Sequence, residues 1–294
     1  MNCASRSRIA YTDQDEVSAE QAPPEKGLFR GLGHIELCDF ANEDLGGLEA
    51  TLAQLSSEGY RTFSFRAPMP RPGFFPWHGE TCFLLSPDRA NRELYARLLQ
   101  ETLEQAREWG ARYAVTPLTH APTDTEDPEL AVDLARGATK RLALFSRDFG
   151  VPVDVAYNAY TPSFNRAGQF AEFIGAHPEL GISLDVGDAY LGALKNERDY
   201  LEDIEELAPL TRSLRLWNTQ GPEHFAEHGK QPLHPSQSPE EGWIDIRRIL
   251  EIVLEQNPSV TVVFGYADES PSDRTRIGYD WVAQAANAIV RRAS

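Results

Sequence analysis

The fold of this chain is constrained most by a repeated alternation between short runs of β-branched or aromatic residues and longer segments with helical periodicity. Such an alternation is typical of parallel strands joined by right-handed helical crossovers. The predicted strands span residues 8–12, 34–40, 61–66, 112–118, 151–157, 181–185, 213–217 and 259–266. Because composition does not change along the 294 residues, these units predict an α/β fold with one domain, a single (βα)8 TIM barrel over residues 1–294.

Apolar residues recur at helical spacing between the predicted strands. The clearest stripes run from Leu45 to Leu55, Leu98 to Ala106, Leu134 to Phe145, Ile249 to Leu254 and Ile277 to Ile289. Gly59, Gly110 and Gly150 each stand between such a stripe and the next strand, where a left-handed residue ends a helix. Pro23 and Pro24 interrupt the first unit, so residues 1–6 and parts of 13–30 are predicted to be irregular.

Charge and composition argue against several classes of protein. The formal net charge is −17, and Lys and Arg are scattered along the chain, so phosphate backbones would be repelled and no nucleic-acid partner is expected. No apolar stretch approaches the roughly 18 residues of a membrane span, and the polar N-terminus does not read as a signal peptide. Cys3, Cys38 and Cys82 form no CxxC pair, so we expect reduced thiols in a cytoplasmic protein without a membrane partner.

Three long, proline-rich connections follow predicted strands rather than predicted helices. They span residues 68–87, 120–128 and 219–242, after the third, fourth and seventh strands. In this fold, the loops at the C-terminal ends of the strands form the ligand site. The sequence therefore predicts a barrel mouth that is covered by 68–87 and 219–242.

Four segments together resemble a known family. Gly-Ile-Ser-Leu-Asp-Val-Gly-Asp at 181–188 is similar to a sixth-strand signature in which Leu-Asp-x-Gly-His is usual. Residues 214–246 contain Leu-Arg-Leu-Trp-Asn, Leu-His-Pro and Gly-Trp-Ile-Asp, in the order of a seventh strand and its following loop. The segments 153–158 and 262–266 are similar to fifth- and eighth-strand segments. The chain thus resembles the xylose-isomerase-like superfamily, which includes sugar epimerases, inosose dehydratases and a DNA-repair endonuclease branch.

The resemblance implies a metal site with Glu, Asp, His and Glu ligands, one from each of strands five to eight. Carried over by position, these ligands fall on Tyr157, Asp185, Arg215 and Gly265, so only the aspartate is retained. A family histidine after the sixth strand falls on Asp188. A divalent cation needs several anionic or imidazole ligands at about 2 Å. We therefore expect a degenerate metal site that binds no metal, and no cofactor.

Polar and aromatic residues at strand ends and in the long loops are the candidate site residues. Carboxylates and histidines can transfer protons, arginines bind carboxylate or phosphate, and aromatic residues wall small-molecule pockets. The expected catalytic residues are Asp185, His234 and Glu36. The expected substrate-binding residues are Arg66, Arg215, Tyr157, Asn158, Trp217, Tyr266 and His78.

Each of these residues also has a structural alternative. Asp185 can cap the following helix or pair with an arginine, and Asp188 can be a helix cap. Arg66 and Arg215 can neutralise Glu36 or Asp185. The aromatic residues can pack beneath the loops, and a lone loop histidine can be solvated.

Three functions are consistent with these observations. The first is an isomerase or lyase that acts on a small polar or anionic metabolite by acid–base chemistry without a divalent metal, as a monomer or a homodimer. Isomerisation, epimerisation or elimination next to a carbonyl would be its reaction. The second is a non-catalytic small-molecule-binding or scaffold barrel. The third is a metal-dependent isomerase with relocated ligands such as Glu36, Asp185, Asp188 and a loop histidine.

Overall fold

A single eight-stranded sheet forms the centre of the computed structural model, which describes residues 27–75, 81–266 and 271–293. The strands are β1 (Gly27–Arg30), β2 (His34–Cys38), β3 (Thr62–Arg66), β4 (Ala114–Pro117), β5 (Val153–Ala156), β6 (Leu180–Asp185), β7 (Thr211–Leu216) and β8 (Thr261–Phe264). Their order in the sheet follows their order in the chain. Neighbours from β2 to β8 are parallel, whereas β1 pairs with β2 in the antiparallel sense.

The sheet curls round so that the β1–β2 hairpin meets β8. Gly31 forms an antiparallel bridge with Val263, and the Leu32 amide donates to the Val262 carbonyl at 3.1 Å. A Cβ atom at Gly31 would lie 2.1 Å from the Val262 oxygen, so only glycine permits this approach. The sheet is a nearly closed barrel, and the predicted α/β barrel class is confirmed.

Helices cover the outside of the barrel. They are α1 (Leu45–Ser57), α2 (Arg89–Trp109), α3 (Pro128–Phe149), α4 (Ala167–Gly175), α5 (Val186–Lys195), α6 (Tyr200–Leu207), α7 (Pro222–His228), α8 (Ile246–Gln256) and α9 (Asp273–Ala293), with 3-10 turns at Asn42–Asp44, Ala208–Leu210 and Pro239–Glu241. Asp88 caps α2, and Gly110 and Gly150 end α2 and α3 in the left-handed conformation, as predicted. Within the described ranges, no helix is long and apolar enough to cross a membrane.

The predicted and observed strands agree closely from β2 onward. β3 and β6 end at the predicted residues, Arg66 and Asp185. The first unit differs: the predicted strand 8–12 lies outside the described residues, and β1 takes the first place in the sheet. Parts of the segment 13–30 are expected to be irregular; residues 13–26 lie outside the described residues, and Gly27–Arg30 form β1. Pairing with β2 gives this short segment hydrogen-bond partners that its own sequence does not reveal.

Strand side chains alternate between the helix layer and the barrel interior. The outward set is apolar and includes the fully buried Leu37, Val155, Leu184 and Leu216. The inward set is largely polar, and its polar members are buried. It comprises His34, Glu36, Ser64, Arg66, Asp154, Ser183, Asp185, Ser213 and Arg215. The sequence therefore builds a barrel whose apolar core lies between sheet and helices and whose axis is polar.

Candidate functional site

Charged side chains converge near the C-terminal ends of β2, β3, β6 and β7. Glu36, Arg66, Asp185 and Arg215 occupy inward positions on these strands, and Asp185 stands beside Arg215 in the strand register. Because parallel strands present their C-terminal ends at one face, four residues that are distant in sequence become neighbours. We call Glu36, Arg66, Asp185, Asp188, Arg215 and Lys230 the mouth cluster.

Glu36 is the most deeply placed member of the mouth cluster. One of its oxygens, Oε1, lies 3.0 Å from Arg215 Nη1 and 3.4 Å from Arg66 Nε. Burial raises the pKa of this group, but the two arginines lower it by more, so Glu36 is a carboxylate. The Arg215 guanidinium also lies 4.4 Å from the centre of the Phe29 ring on β1. The two arginines are thus partners of Glu36, which was the structural alternative for both.

Asp185 has partners for both of its oxygens. Oδ1 accepts hydrogen bonds from the Asp188 amide at 3.2 Å and from Trp217 Nε1 at 2.5 Å. Oδ2 lies 3.3 Å from Lys230 Nζ and 3.9 Å from Arg215 Nε. Burial raises the pKa of Asp185, and the charges of Lys230 and Arg215 with these hydrogen bonds lower it by more, so its net direction is down. Asp185 caps α5 and also joins the ionic network.

Trp217 fills the space beside Gly187 and Gly265, which follow the ends of β6 and β8. Its side chain is completely buried. A Cβ atom at Gly187 would lie 2.1 Å from the indole, and one at Gly265 would lie 2.6 Å from it. Glycine at 265, where the resemblance places a fourth metal ligand, therefore makes room for this ring.

Lys230 is the mouth residue that the sequence reasoning missed. It belongs to the connection between β7 and α8, and its ammonium lies 4.8 Å from the centre of the Trp217 ring. Its side chain is 30% exposed, against 5% for Arg66 and 7% for Arg215. A single lysine in a long loop gives no sequence signal. The contact does show that part of 219–242 reaches the mouth, as predicted.

The remaining candidate residues lie in other surroundings. The Tyr157 hydroxyl donates to the Asn165 carbonyl at 2.5 Å, and its ring packs on Phe170 of α4, so it faces the helix layer. Asn158 Oδ1 accepts a hydrogen bond from the Tyr160 amide and closes a turn.

The half-buried His234 ring forms a hydrogen bond with Ser236, at 2.7 Å. Tyr266 packs near the rings of Phe264 and Tyr279, and His78 lies outside the described residues.

A second polar group lies deeper in the barrel. His34 bonds through Nδ1 to Thr62 at 2.8 Å and through Nε2 to Ser64 at 2.9 Å, and burial lowers its pKa to about 4. Asp154 is fully buried, and neither of its oxygens has a well-formed hydrogen bond in the described structure. Burial raises the pKa of Asp154 to about 7, and Arg212 offsets only part of this effect. Asp154 was not among the expected site residues, although it lies in the polar interior of the barrel.

The barrel can now be compared with known proteins. Neither family models nor curated proteins match the sequence. Among solved structures, a D-tagatose 3-epimerase-like protein matches with a TM-score of 0.64 at 12% identity, over 90% of this chain and 92% of its own. An L-ribulose 3-epimerase matches at 0.61 and 15% identity, over 88% and 96% of the two chains. A xylose isomerase-like TIM barrel protein from Mycobacterium smegmatis in complex with magnesium matches at 0.54 and 14%, over 89% and 85%. The fold is that of the xylose isomerase-like barrels.

Proposed function

We propose that this protein is an enzyme of the sugar isomerase and epimerase type that acts on a small polar or anionic metabolite without a divalent metal. The observation that supports this is the mouth cluster, a set of three cations and three carboxylates at the face where this fold binds ligands. Isomerisation, epimerisation or elimination next to a carbonyl needs a proton acceptor and a positive charge near the carbonyl oxygen. The cluster has both kinds of group.

The donor set argues against the metal that is bound by proteins of this fold family. By position, Tyr157, Arg215 and Gly265 replace three of the four expected ligands, and Tyr157 faces the helix layer. The relocated set fits no better, because Glu36 is paired with two arginines and Lys230 lies between Asp185 and Asp188. Within the described ranges, no group of three or more His, Cys, Asp or Glu is arranged to hold a metal ion. We therefore propose a degenerate metal site.

Within this function, the charged residues have different roles. Arg66 and Arg215 lie beneath the surface and hold Glu36 and Asp185 in their ionised forms. Lys230 is the most exposed of the three cations, so we assign the first contact with a ligand oxygen to Lys230 instead of to the arginines. His234, half-buried in the same connection, is proposed as the acid–base partner of the carboxylates.

A non-catalytic binding or scaffold barrel is the second candidate. It is favoured by the burial of Glu36, Arg66, Asp185 and Arg215, none of which is more than 7% exposed, and by the complete burial of the Trp217 indole. In the catalytic proposal, Trp217 and the covering connections must move when the ligand enters. In the scaffold proposal, they have no need to do so.

Solvent-exchange measurements test the two candidates. The protein is incubated in D2O with ketoses, aldoses and 2-keto or 2-hydroxy acids, with and without EDTA, and loss of the C–H signal next to the carbonyl is followed by NMR. We expect exchange of at least one compound that EDTA leaves unchanged and that Asp185→Asn abolishes. Exchange that requires added Mg2+ or Mn2+ would contradict the metal-free site. Binding without exchange across the panel would favour the scaffold.

We also propose a cytoplasmic location. Cys38 and Cys82 are free and buried, and burial raises the pKa of both thiols. Neutral buried thiols need no oxidising environment, and this composition agrees with a reducing compartment. Fractionation of cells that express the full chain, followed by thiol labelling under denaturing conditions, is the direct measurement.

A further inference from the structure

The backbone places Lys230 directly over the barrel mouth. Asn218, the residue after Trp217, and Gln231, the residue after Lys230, form an isolated antiparallel bridge, with amide–carbonyl distances of 2.9 and 3.1 Å in the two directions. In this antiparallel pairing Lys230 lies opposite Thr219, and Trp217 is its diagonal neighbour. A long side chain spans such a diagonal, and the Lys230 ammonium reaches the face of the Trp217 ring.

Among the described residues, three groups that favour a cation lie close to this ammonium. Asp185 Oδ2 lies at 3.3 Å, Asp188 Oδ1 at 4.0 Å, and the centre of the Trp217 ring at 4.8 Å. Carboxylates attract the charge directly, and the face of an indole is the best aromatic partner for a cation. The arrangement is a cation site whose occupant is part of the chain.

The same two carboxylates occupy the sixth-strand positions at which the family resemblance places a metal ligand and a histidine. An ion bound there would compete with Lys230 for Asp185 and Asp188. The other Asp185 oxygen already accepts from Trp217 and from the Asp188 amide. Arg215 Nε, 3.9 Å from Asp185, adds further repulsion.

The formal charge of the mouth cluster also disfavours a bound divalent ion. The mouth cluster contains three carboxylates and three cations, so its formal charge is zero. A divalent ion would add two positive charges that no described member of the mouth cluster neutralises, in a site that is largely out of water, which is strongly unfavourable. Removing Lys230 would leave one negative charge that an external cation could neutralise.

We propose that the Lys230 ammonium is the resident cation of this site and replaces a divalent metal ion at Asp185 and Asp188. The inference deepens the proposed metal-free function, on which it rests for its consequence that Lys230 meets the ligand oxygen. The placement of the cation itself does not require turnover, so a measurement of metal binding can fail independently of any measurement of catalysis.

Mn2+ titration of the full chain, followed by electron paramagnetic resonance, tests the proposal. The variant is Lys230→Met, and the matched control is Lys195→Met, which removes an exposed lysine at the far end of α5. We expect Lys230→Met to lower the Mn2+ dissociation constant by about tenfold or more relative to the control, because a unit charge next to the binding point is removed. Adding Asp185→Asn to Lys230→Met should abolish the gain. Equal dissociation constants in the variant and the control would overturn the proposal.

A second measurement uses the unsubstituted chain, in case Lys230→Met does not fold. The sequence has only four lysines, so reductive methylation with 13C-formaldehyde gives few lysine methyl signals. Comparison with Lys230→Arg identifies the Lys230 methyl signal. The Trp217 ring should give this signal a chemical shift different from that of Lys140 on α3. Stoichiometric Mn2+ should broaden the two signals equally. Selective broadening of the Lys230 signal that Asp185→Asn removes, or a Lys230 signal that coincides with that of Lys140, would overturn the proposal.

Discussion

Asp154 and Asp185 are buried aspartates on adjacent strands inside the same barrel, yet their pKa values are shifted in opposite directions. Asp154 is fully buried, has no well-formed hydrogen bond in the described structure, and has its pKa raised to about 7. Asp185 is 7% exposed, accepts two hydrogen bonds, lies beside Lys230 and Arg215, and has a lowered pKa. Burial is similar in the two cases, and the neighbours differ.

The neighbours of a buried carboxyl, which change with its position along the barrel axis, account for the opposite pKa shifts. At the level of Asp154, the neighbouring strands contribute hydroxyls and glycine, with Ser213 and Gly181 close to the carboxyl. At the level of Asp185, the next strand contributes Arg215 and the mouth connection contributes Lys230. For Asp154, Arg212 offsets only part of the desolvation penalty of the ionised form, whereas Lys230, Arg215 and the hydrogen bonds to Asp185 outweigh that penalty.

Removing a cation from the mouth should produce the largest effect. Arg215→Met leaves Glu36 and Asp185 with one cation fewer at a buried site, and we expect the free energy of unfolding to fall by about 3–5 kcal/mol. Urea denaturation at neutral pH measures it. The control is Arg141→Met, which breaks a partly exposed pair with Glu93 and should cost about 1 kcal/mol or less. If the two losses were equal, the mouth cluster would not differ energetically from a surface pair.

Asp154→Asn should change the pH dependence of stability. The folded pKa of about 7 lies above the ordinary aspartate value of 3.8, so the folded state holds the proton more tightly. The stability that Asp154 contributes is complete below its ordinary pKa of 3.8. It is lost as the pH rises from there through the folded pKa of about 7. The variant lacks this loss, so the free energy of unfolding of the variant relative to the parent should increase by on the order of 4 kcal/mol across that interval.

Urea denaturation at a series of pH values from 4 to 8 checks this difference. His34, whose pKa is lowered to about 4, acts in the opposite sense between about 4 and 6.5, but it is present in both proteins and cancels in the comparison. Asp124→Asn is the comparison variant. Asp124 is a second carboxyl, at the connection after β4, and burial raises its pKa to about 7 as well. A pH-independent difference for Asp154→Asn would show that Asp154 is ionised in the folded protein.

Crowding the indole should have the smallest of these effects. Gly265→Ala places a Cβ atom 2.6 Å from Trp217, the hydrogen-bond donor to Asp185, and overpacking of this kind costs about 1–3 kcal/mol. Gly46→Ala in α1, where a Cβ atom meets nothing within 4 Å, should be neutral or stabilising. Trp217→Phe should relieve part of the loss in a double variant. Additive losses for Gly265→Ala and Trp217→Phe would mean that the indole does not fill this space.

Some features of the site could be predicted from single positions, and others depended on side-chain direction. The structure confirms the structural alternative given for Asp185, a strand-end carboxylate that caps the next helix, because this role depends only on consecutive residues. Tyr157 was placed at a ligand position by alignment, but the alternation of a strand sends its side chain to α4. A shift of one residue reverses the face in a strand, so a loose motif cannot fix which side chain points inward.

The alternation of strands and helices, the apolar stripes of the helices and the residues that end several of them follow from the amino-acid sequence without the structure. These properties depend on neighbours within a few residues, where periodicity and capping act. The tertiary structure alone decided which carboxylates are charged and which cations they meet. Glu36 meets Arg66 across 30 residues, and Asp185 meets Lys230 across 45. Desolvation and ion pairing depend on distances in space, and only the closing of the barrel brings these groups together.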